Sequence, residues 1–138
     1  MAPLRDRSLR WRGVGLLVLV TIETLVGNEL ALAGSPYPWS WLAVHIVVGL
    51  LLIGFAGHTA RMAFRRPRTV ARVSATLAAL GSLGAFVSGL LFLFAGQSNG
   101  ALYGMEGLAG LVFLAAVLLI VFGSVAPPPT PAATPKPA

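Results

Sequence analysis

Four long apolar runs alternate with short polar or proline-containing segments along this chain of 138 residues. The runs span residues 13–33, 39–60, 73–95 and 103–125, and each approaches or exceeds the roughly 20 residues that a helix needs to cross a bilayer. Lipid offers no partner to unpaired backbone N–H and C=O groups, so each run is predicted to be helical. Because the connections are short, neighbouring helices are predicted to be antiparallel. The pattern therefore predicts an all-α integral membrane protein, an up-down-up-down four-helix bundle.

Two segments flank this bundle. Residues 1–12 form a basic N-terminal segment, and residues 126–138 form a proline-rich tail that we expect to be disordered. Only 10% of the residues are charged, whereas soluble domains are nearer about 25%. The composition predicts no soluble domain, so we expect the bundle, its loops or its partners to carry the function. The first run also resembles a secretory signal ending at residues 31–33, but it is long for one and contains acids, which favours an uncleaved span.

The basic residues all lie on one side of the predicted bundle. One cluster precedes the first run and the other separates the second run from the third, while Lys136 lies in the tail. The loops at residues 34–39 and 96–100 contain no Lys or Arg. This asymmetry follows the positive-inside rule and predicts that both termini and the middle loop are cytoplasmic. The pI near 11.5 thus reflects membrane orientation and contact with lipid headgroups, and we expect no nucleic-acid binding. The two clusters are Arg5, Arg7, Arg10 and Arg12, and then Arg61, Arg65, Arg66, Arg68 and Arg72.

Catalytic chemistry finds little support in the sequence. The chain contains no cysteine, which excludes disulfides, thiolate metal sites and thiol catalysis. It contains neither a Gly-x-Ser-x-Gly element nor a His-Glu-x-x-His zinc helix. It also lacks a glycine-rich phosphate loop ending in Lys. These absences argue against an enzyme.

Polar side chains inside the runs are the candidate functional residues, because a charged group at bilayer depth costs at least about 2.5–3.5 kcal/mol. Glu23 lies about 15 Å below the outer end of the first helix, near the membrane midplane. It is off the stripe formed by Thr21, Thr24 and Asn28, so we expect it to face a different neighbour or, in its protonated form, lipid. The other polar residues are predicted to form a layer in the outer third of the bundle: Asn28, Glu29, His45, Gln97, Asn99 and Glu106. Within this layer we expect His45 to reach Asn28, Glu29 or Glu106 directly or through one water.

Three functional hypotheses follow from this layer. The first is a non-catalytic accessory or binding subunit that holds a ligand or a partner, either another membrane subunit or a second copy, through the layer. The second is an electron carrier with a b-type haem, in which His45 is one axial ligand and Met105, the thioether at matching depth, is the other. His58 lies thirteen positions beyond His45, on the opposite side of the membrane, so the two histidines cannot hold one haem. The third is a proton- or cation-conducting oligomer with Glu23 facing its pore.

A metal site and the packing of the helices complete the expectations. One imidazole and two carboxylates, from His45, Glu29 and Glu106, are suitable ligands for a divalent cation, but their spacing is no metal motif and we predict no metal site.

Small residues let helices approach closely in lipid, and they favour packing of the second helix against the third, with contact to another subunit as the alternative. The small residues are Gly81, Ala85 and Gly89 in the third run and Gly49, Gly54 and Gly57 in the second.

Overall fold

The computed structural model describes residues 7–33, 36–94 and 98–123 of the chain. Within these residues the chain forms four α-helices and no strand. They are α1 (Arg7–Ala33), α2 (Trp39–Phe64), α3 (Thr69–Phe94) and α4 (Asn99–Phe122). The prediction of an all-α chain is thereby confirmed for the described residues. The tail at residues 126–138 lies outside them, as does Gln97.

The helices are longer than the apolar runs that predict them. α1 begins at Arg7 instead of residue 13, and α3 begins at Thr69 instead of residue 73. α4 begins at Asn99, where the hydroxyl of Ser98 caps the helix by accepting a hydrogen bond of 3.3 Å from the Ala101 N–H. Hydropathy marks where the surroundings become polar, whereas backbone hydrogen bonds continue until a cap or a proline ends them.

Large apolar side chains cover the outside of this bundle. All four described helices are long and apolar enough to cross a membrane, as judged by length and composition. Phe94 is 85% exposed, and Leu32 and Trp39 are each 82% exposed. Water-soluble monomers rarely present such a continuous apolar surface. These are the features of a multi-pass membrane protein.

The interior is built largely from small residues, which bring the helices close together. Each helix packs against its neighbours in the sequence, and α4 also packs against α1. A Cβ atom added at Gly13 of α1 would lie 3.0 Å from two backbone atoms of α4, Ala116 O and Ile120 N. The absence of a side chain at this glycine is therefore what allows α1 and α4 to approach. The buried apolar core consists of Leu9, Leu16, Val20, Leu52, Ala56, Ala63, Ala71, Ala75, Ala78, Val112, Ala115, Ala116 and Leu119.

The expected packing of the second helix against the third is present, but the glycines of α3 lie in a different contact, because they face α4. A Cβ added at Gly81 would lie 2.9 Å from Val112 Cγ2 and 3.3 Å from Leu108 O, both on α4. By contrast, Gly54 and Gly57 of α2 have no atom within 4 Å of an added Cβ among the described residues. The spacing of small residues predicted a close helix contact, but it did not identify the partner helix, because glycine has no side chain whose size or polarity indicates what it faces.

Hydrogen bonds from side chains to the backbone satisfy several polar groups of the bundle. Thr21 and Thr24 donate to carbonyls four residues earlier in α1, at 2.7 and 2.8 Å. Their hydroxyls therefore need no partner on another helix. At the other end of the bundle, Arg68 Nη1 donates to Gly123 O at 2.6 Å. This bond ties the loop between α2 and α3 to the end of α4, where helix carbonyls lack partners of their own.

Candidate functional site

Contacts between α1 and α2 define the end of the bundle at which the site lies. A Cβ added at Gly15 of α1 would lie 2.9 Å from the ring of Phe55 in α2, and one at Gly27 would lie 3.3 Å from His45 Cε1. Thus the last turns of α1 lie beside the first turns of α2. We call this the Pro38 end, after the residue that precedes α2.

A contact between Glu23 and His45 is the centre of the site. His45 Nδ1 lies 3.1 Å from Glu23 Oε1, and the side chains are 19% and 18% exposed, respectively. The separation is that of an ion pair or a hydrogen bond, but Nδ1 is not aligned for a hydrogen bond. Glu23 Oε2 is also buried without a hydrogen-bond partner among the described residues. Buried polar groups are nearly always hydrogen-bonded, so the pair is incomplete as a purely structural contact.

Two glycines make room for this pair, one on each helix. A Cβ added at Gly49 would lie 2.9 Å from Glu23 Oε1, and one at Gly27 would lie 3.3 Å from His45 Cε1. Gly27 follows Glu23 by four positions, and Gly49 follows His45 by four positions, which is about one helical turn. Each polar side chain therefore lies over the glycine one turn beyond its partner. Larger residues at either position would push the carboxylate or the imidazole out of place.

The pair lines a cavity of about 120 Å³ that all four described helices and Tyr37 enclose. Deep in the cavity lie Leu52 and Val112, which are buried, about 20 Å along their helices from the Pro38 end. Asn28 and Glu106 are exposed and lie at its mouth. The cavity is partly open, and its lining is mostly apolar. It therefore offers a small number of polar atoms in an otherwise apolar space, as ligand sites commonly do.

The structure brings together part of the predicted polar layer. Asn28, His45 and Glu106 line the cavity. Glu29 and Asn99 are exposed and do not line it, and Gln97 lies outside the described residues. The carboxylate in contact with His45 belongs to Glu23 and not to one of the three expected partners.

Glu23 faces a neighbouring helix, α2, which is one of its two expected orientations, the other being lipid. It points away from Thr21, and on a helical wheel it lies about 40° from Gly27, which also faces α2. The face of α1 that lines the cavity is centred on Glu23 and Gly27, with Asn28 at its edge. The signal that could have identified the pair is the spacing itself: an acid and a histidine in adjacent helices, each followed four residues later by a glycine. Because Glu23 faces His45 inside the bundle, the hypothesis of a pore between subunits gains no support.

The metal-site and haem hypotheses both depend on His45. Among the described residues, no group of three or more His, Cys, Asp or Glu side chains is placed to hold a metal ion. Met105 lines the same cavity as His45, with its sulfur 3.5 Å from a Cβ added at Gly89. However, a cavity of about 150 Å³ holds a single benzene ring, and a porphyrin is several times larger. The haem hypothesis therefore gains no support from a cavity of about 120 Å³. His58 is exposed and lies thirteen positions further along α2.

Comparison of the chain with protein-family models, with curated proteins and with solved structures finds no match. The geometry of the site is therefore the basis on which a function is assigned.

Proposed function

We propose that this protein is a non-catalytic membrane subunit that binds a small, largely apolar molecule in the cavity at the Pro38 end. The observation that carries the proposal is the incomplete pair of Glu23 and His45, which lines an apolar cavity. Ionisable groups at membrane depth are costly and are usually functional. A ligand with a polar head would hydrogen-bond to the imidazole or the carboxyl group, and its apolar part would contact the rest of the lining.

The membrane arrangement that we propose is an up-down-up-down bundle with four spans. In its support, Gly81 of α3 lies opposite Val112 of α4, while Gly89, further along α3, lies opposite the earlier residue Met105. The contacts between α1 and α2 run in the same opposed sense. With the arginine clusters on the cytoplasmic side, both termini are cytoplasmic and the Pro38 end faces outward.

Reporter fusions test this orientation. A reporter after Ala138 and one within residues 65–68 are expected to read cytoplasmic, and one at Ser35 is expected to read external. An external C-terminus would contradict the four-span arrangement.

Retention of a ligand tests the binding function. The full-length protein is purified in mild detergent, extracted with organic solvent and examined by mass spectrometry, beside the variants His45→Leu and His58→Leu. We expect a lipophilic molecule that copurifies with the parent protein and with His58→Leu but is lost from His45→Leu. His58 is the matched control because it lies on the same helix, is exposed and does not line the cavity.

Two results would contradict the binding proposal: extracts that are the same for all three proteins, or extracts without a retained molecule. A haem absorption band that disappears in His45→Leu would favour the electron carrier instead. Native mass spectrometry of the same sample also measures the number of chains in the complex and detects any other membrane subunit, which tests the accessory role.

A further inference from the structure

We propose that the ligand belongs to the quinone and quinol class, that is, a neutral lipophilic molecule whose single six-membered ring carries carbonyl or hydroxyl oxygens. This inference rests on the proposed function and names the chemical class of the molecule bound at that site. Three properties of the site lead to it: the size of the cavity, the charges that line it and the hydrogen bonds that His45 can make.

The size of the cavity matches one ring. Its volume of about 120 Å³ is close to the roughly 150 Å³ that holds a benzene molecule in a protein interior. Compact ring systems fit, whereas fused polycyclic molecules and macrocycles do not. Because the cavity is partly open, a tail attached to the ring can leave it and lie among the apolar side chains outside.

The charges in the lining select a neutral molecule. Among the described residues no Lys or Arg lines the cavity, whereas Glu23 and Glu106 do. An anionic head, such as a carboxylate or a phosphate, would find no cation and would face two acids. A cationic head would have to compete with His45, which lies 3.1 Å from Glu23 Oε1. Glu106 is exposed at the mouth and so is screened by solvent.

The imidazole can bind either a carbonyl or a hydroxyl group. Nδ1 of His45 lies 3.1 Å from Glu23 Oε1 without an aligned hydrogen bond, so a small rotation of either side chain would let the two groups hydrogen-bond and would leave Nε2 for a molecule in the cavity. When the carboxylic acid of Glu23 donates a hydrogen bond to Nδ1, the neutral ring carries its proton on Nε2 and donates to a carbonyl oxygen. When Nδ1 carries the proton and donates to Glu23, Nε2 has a free lone pair and accepts from a hydroxyl.

This exchange of tautomers keeps both His45 and a protonated Glu23 neutral, so it does not add a charge to the apolar cavity. Such a site can bind a ligand in both its carbonyl form and its hydroxyl form, because each form matches one tautomer of His45. Quinones and quinols have this property, and they are also neutral, lipophilic and built on a single ring in their smallest members.

Photolabelling tests the class directly. The full-length protein in lipid nanodiscs is labelled with an azido-substituted 1,4-benzoquinone that carries a short alkyl tail, and the labelled residues are mapped by mass spectrometry. We expect labels on lining segments of α1 or α3, within residues 20–31 or 82–93. Unlabelled benzoquinone and its hydroquinone should both displace the probe, whereas a fatty acid and an alkylammonium ion should not.

Variants test the roles of the two side chains. His45→Leu should weaken labelling by about three- to tenfold, the loss of one hydrogen bond. Glu23→Gln should retain binding of both forms, because an amide can either donate to Nδ1 or accept from it, whereas Glu23→Leu should weaken both. His58→Leu should label like the parent protein.

Several outcomes would overturn the class: no specific label in the cavity, displacement by only one of the two forms, or displacement by the alkylammonium ion. Competition is measured on the parent protein, so the test does not depend on whether a variant folds. If the solvent extract contains a His45-dependent molecule of another class, the quinone assignment fails and the binding function stands. If no molecule is retained and no label is specific, both fail.

Discussion

A double-mutant cycle on Glu23 and His45 measures how strongly their contact holds α1 to α2. The perturbation is the set Glu23→Ala, His45→Ala and the double variant. The atoms concerned are 3.1 Å apart and both side chains are more than four-fifths buried. Hydrogen bonds between membrane helices average about 0.6 kcal/mol and reach about 1.7 kcal/mol. We therefore expect a coupling free energy of about 0.6–1.7 kcal/mol, or roughly three- to eighteenfold in the unfolding equilibrium.

The assay is reversible unfolding of the four proteins in mixed micelles or bicelles, followed by helix content. Each truncation also leaves an empty space that destabilises the protein. This effect cancels in the cycle, because it occurs in both the single and the double variants. A second cycle with Glu23→Ala and His58→Ala serves as the control, since His58 lies about 20 Å further along α2 and its change should be additive. A coupling within about 0.3 kcal/mol of zero, or one equal to that of the control cycle, would show that the contact does not stabilise the bundle.

The remaining predictions concern glycines and use the same unfolding assay. Gly81→Ala should destabilise the protein by about 1–2 kcal/mol, because a Cβ there meets α4 at 2.9 Å, whereas Gly110→Ala, which points into open space among the described residues, should be neutral or stabilise the helix by up to about 1 kcal/mol. Equal effects would contradict the close contact of α3 and α4. Gly49→Ala should be about 1 kcal/mol less stable than Gly54→Ala, since only the first displaces the carboxylate of Glu23, and it should also lower ligand retention. Unchanged stability and retention in Gly49→Ala would argue against the role of this glycine in making room for Glu23.

Much of the fold could be predicted from the sequence, because hydropathy over a run of about 20 residues is a strong signal. It gave the number of described helices and the approximate position of each. The runs that predict α1, α3 and α4 begin later than the helices themselves, because the first helical positions, such as Arg7 and Thr69, are polar. The spacing of small residues placed the glycines of α3 against α2, whereas they face α4, because Gly81 carries no side chain from which a partner helix can be inferred.

The site was predicted only in part, and the reason is geometric. Depth counted along each helix put Glu23 about 15 Å from the Pro38 end and His45 about 9 Å from it, which placed them in different layers. Those depths also apply to the two glycines opposite them: Gly49 lies at the level of Glu23, and Gly27 lies at the level of His45. Because both glycines leave space, the side chains reach diagonally across one helical turn and meet. Depth along each helix, taken without the sizes of the residues on the facing helix, could not reveal this contact.

The same four residues therefore determine both the packing of α1 on α2 and the shape of the cavity. Glu23 and His45 fill the space above Gly49 and Gly27, so a change in the separation of the two helices must also change the contact between the carboxylate and the imidazole. A ligand that hydrogen-bonds to Nε2 of His45 fixes the ring and, through its other nitrogen, the carboxylate. Since such a ligand binds the folded bundle and not the separated helices, occupancy and helix packing are thermodynamically linked.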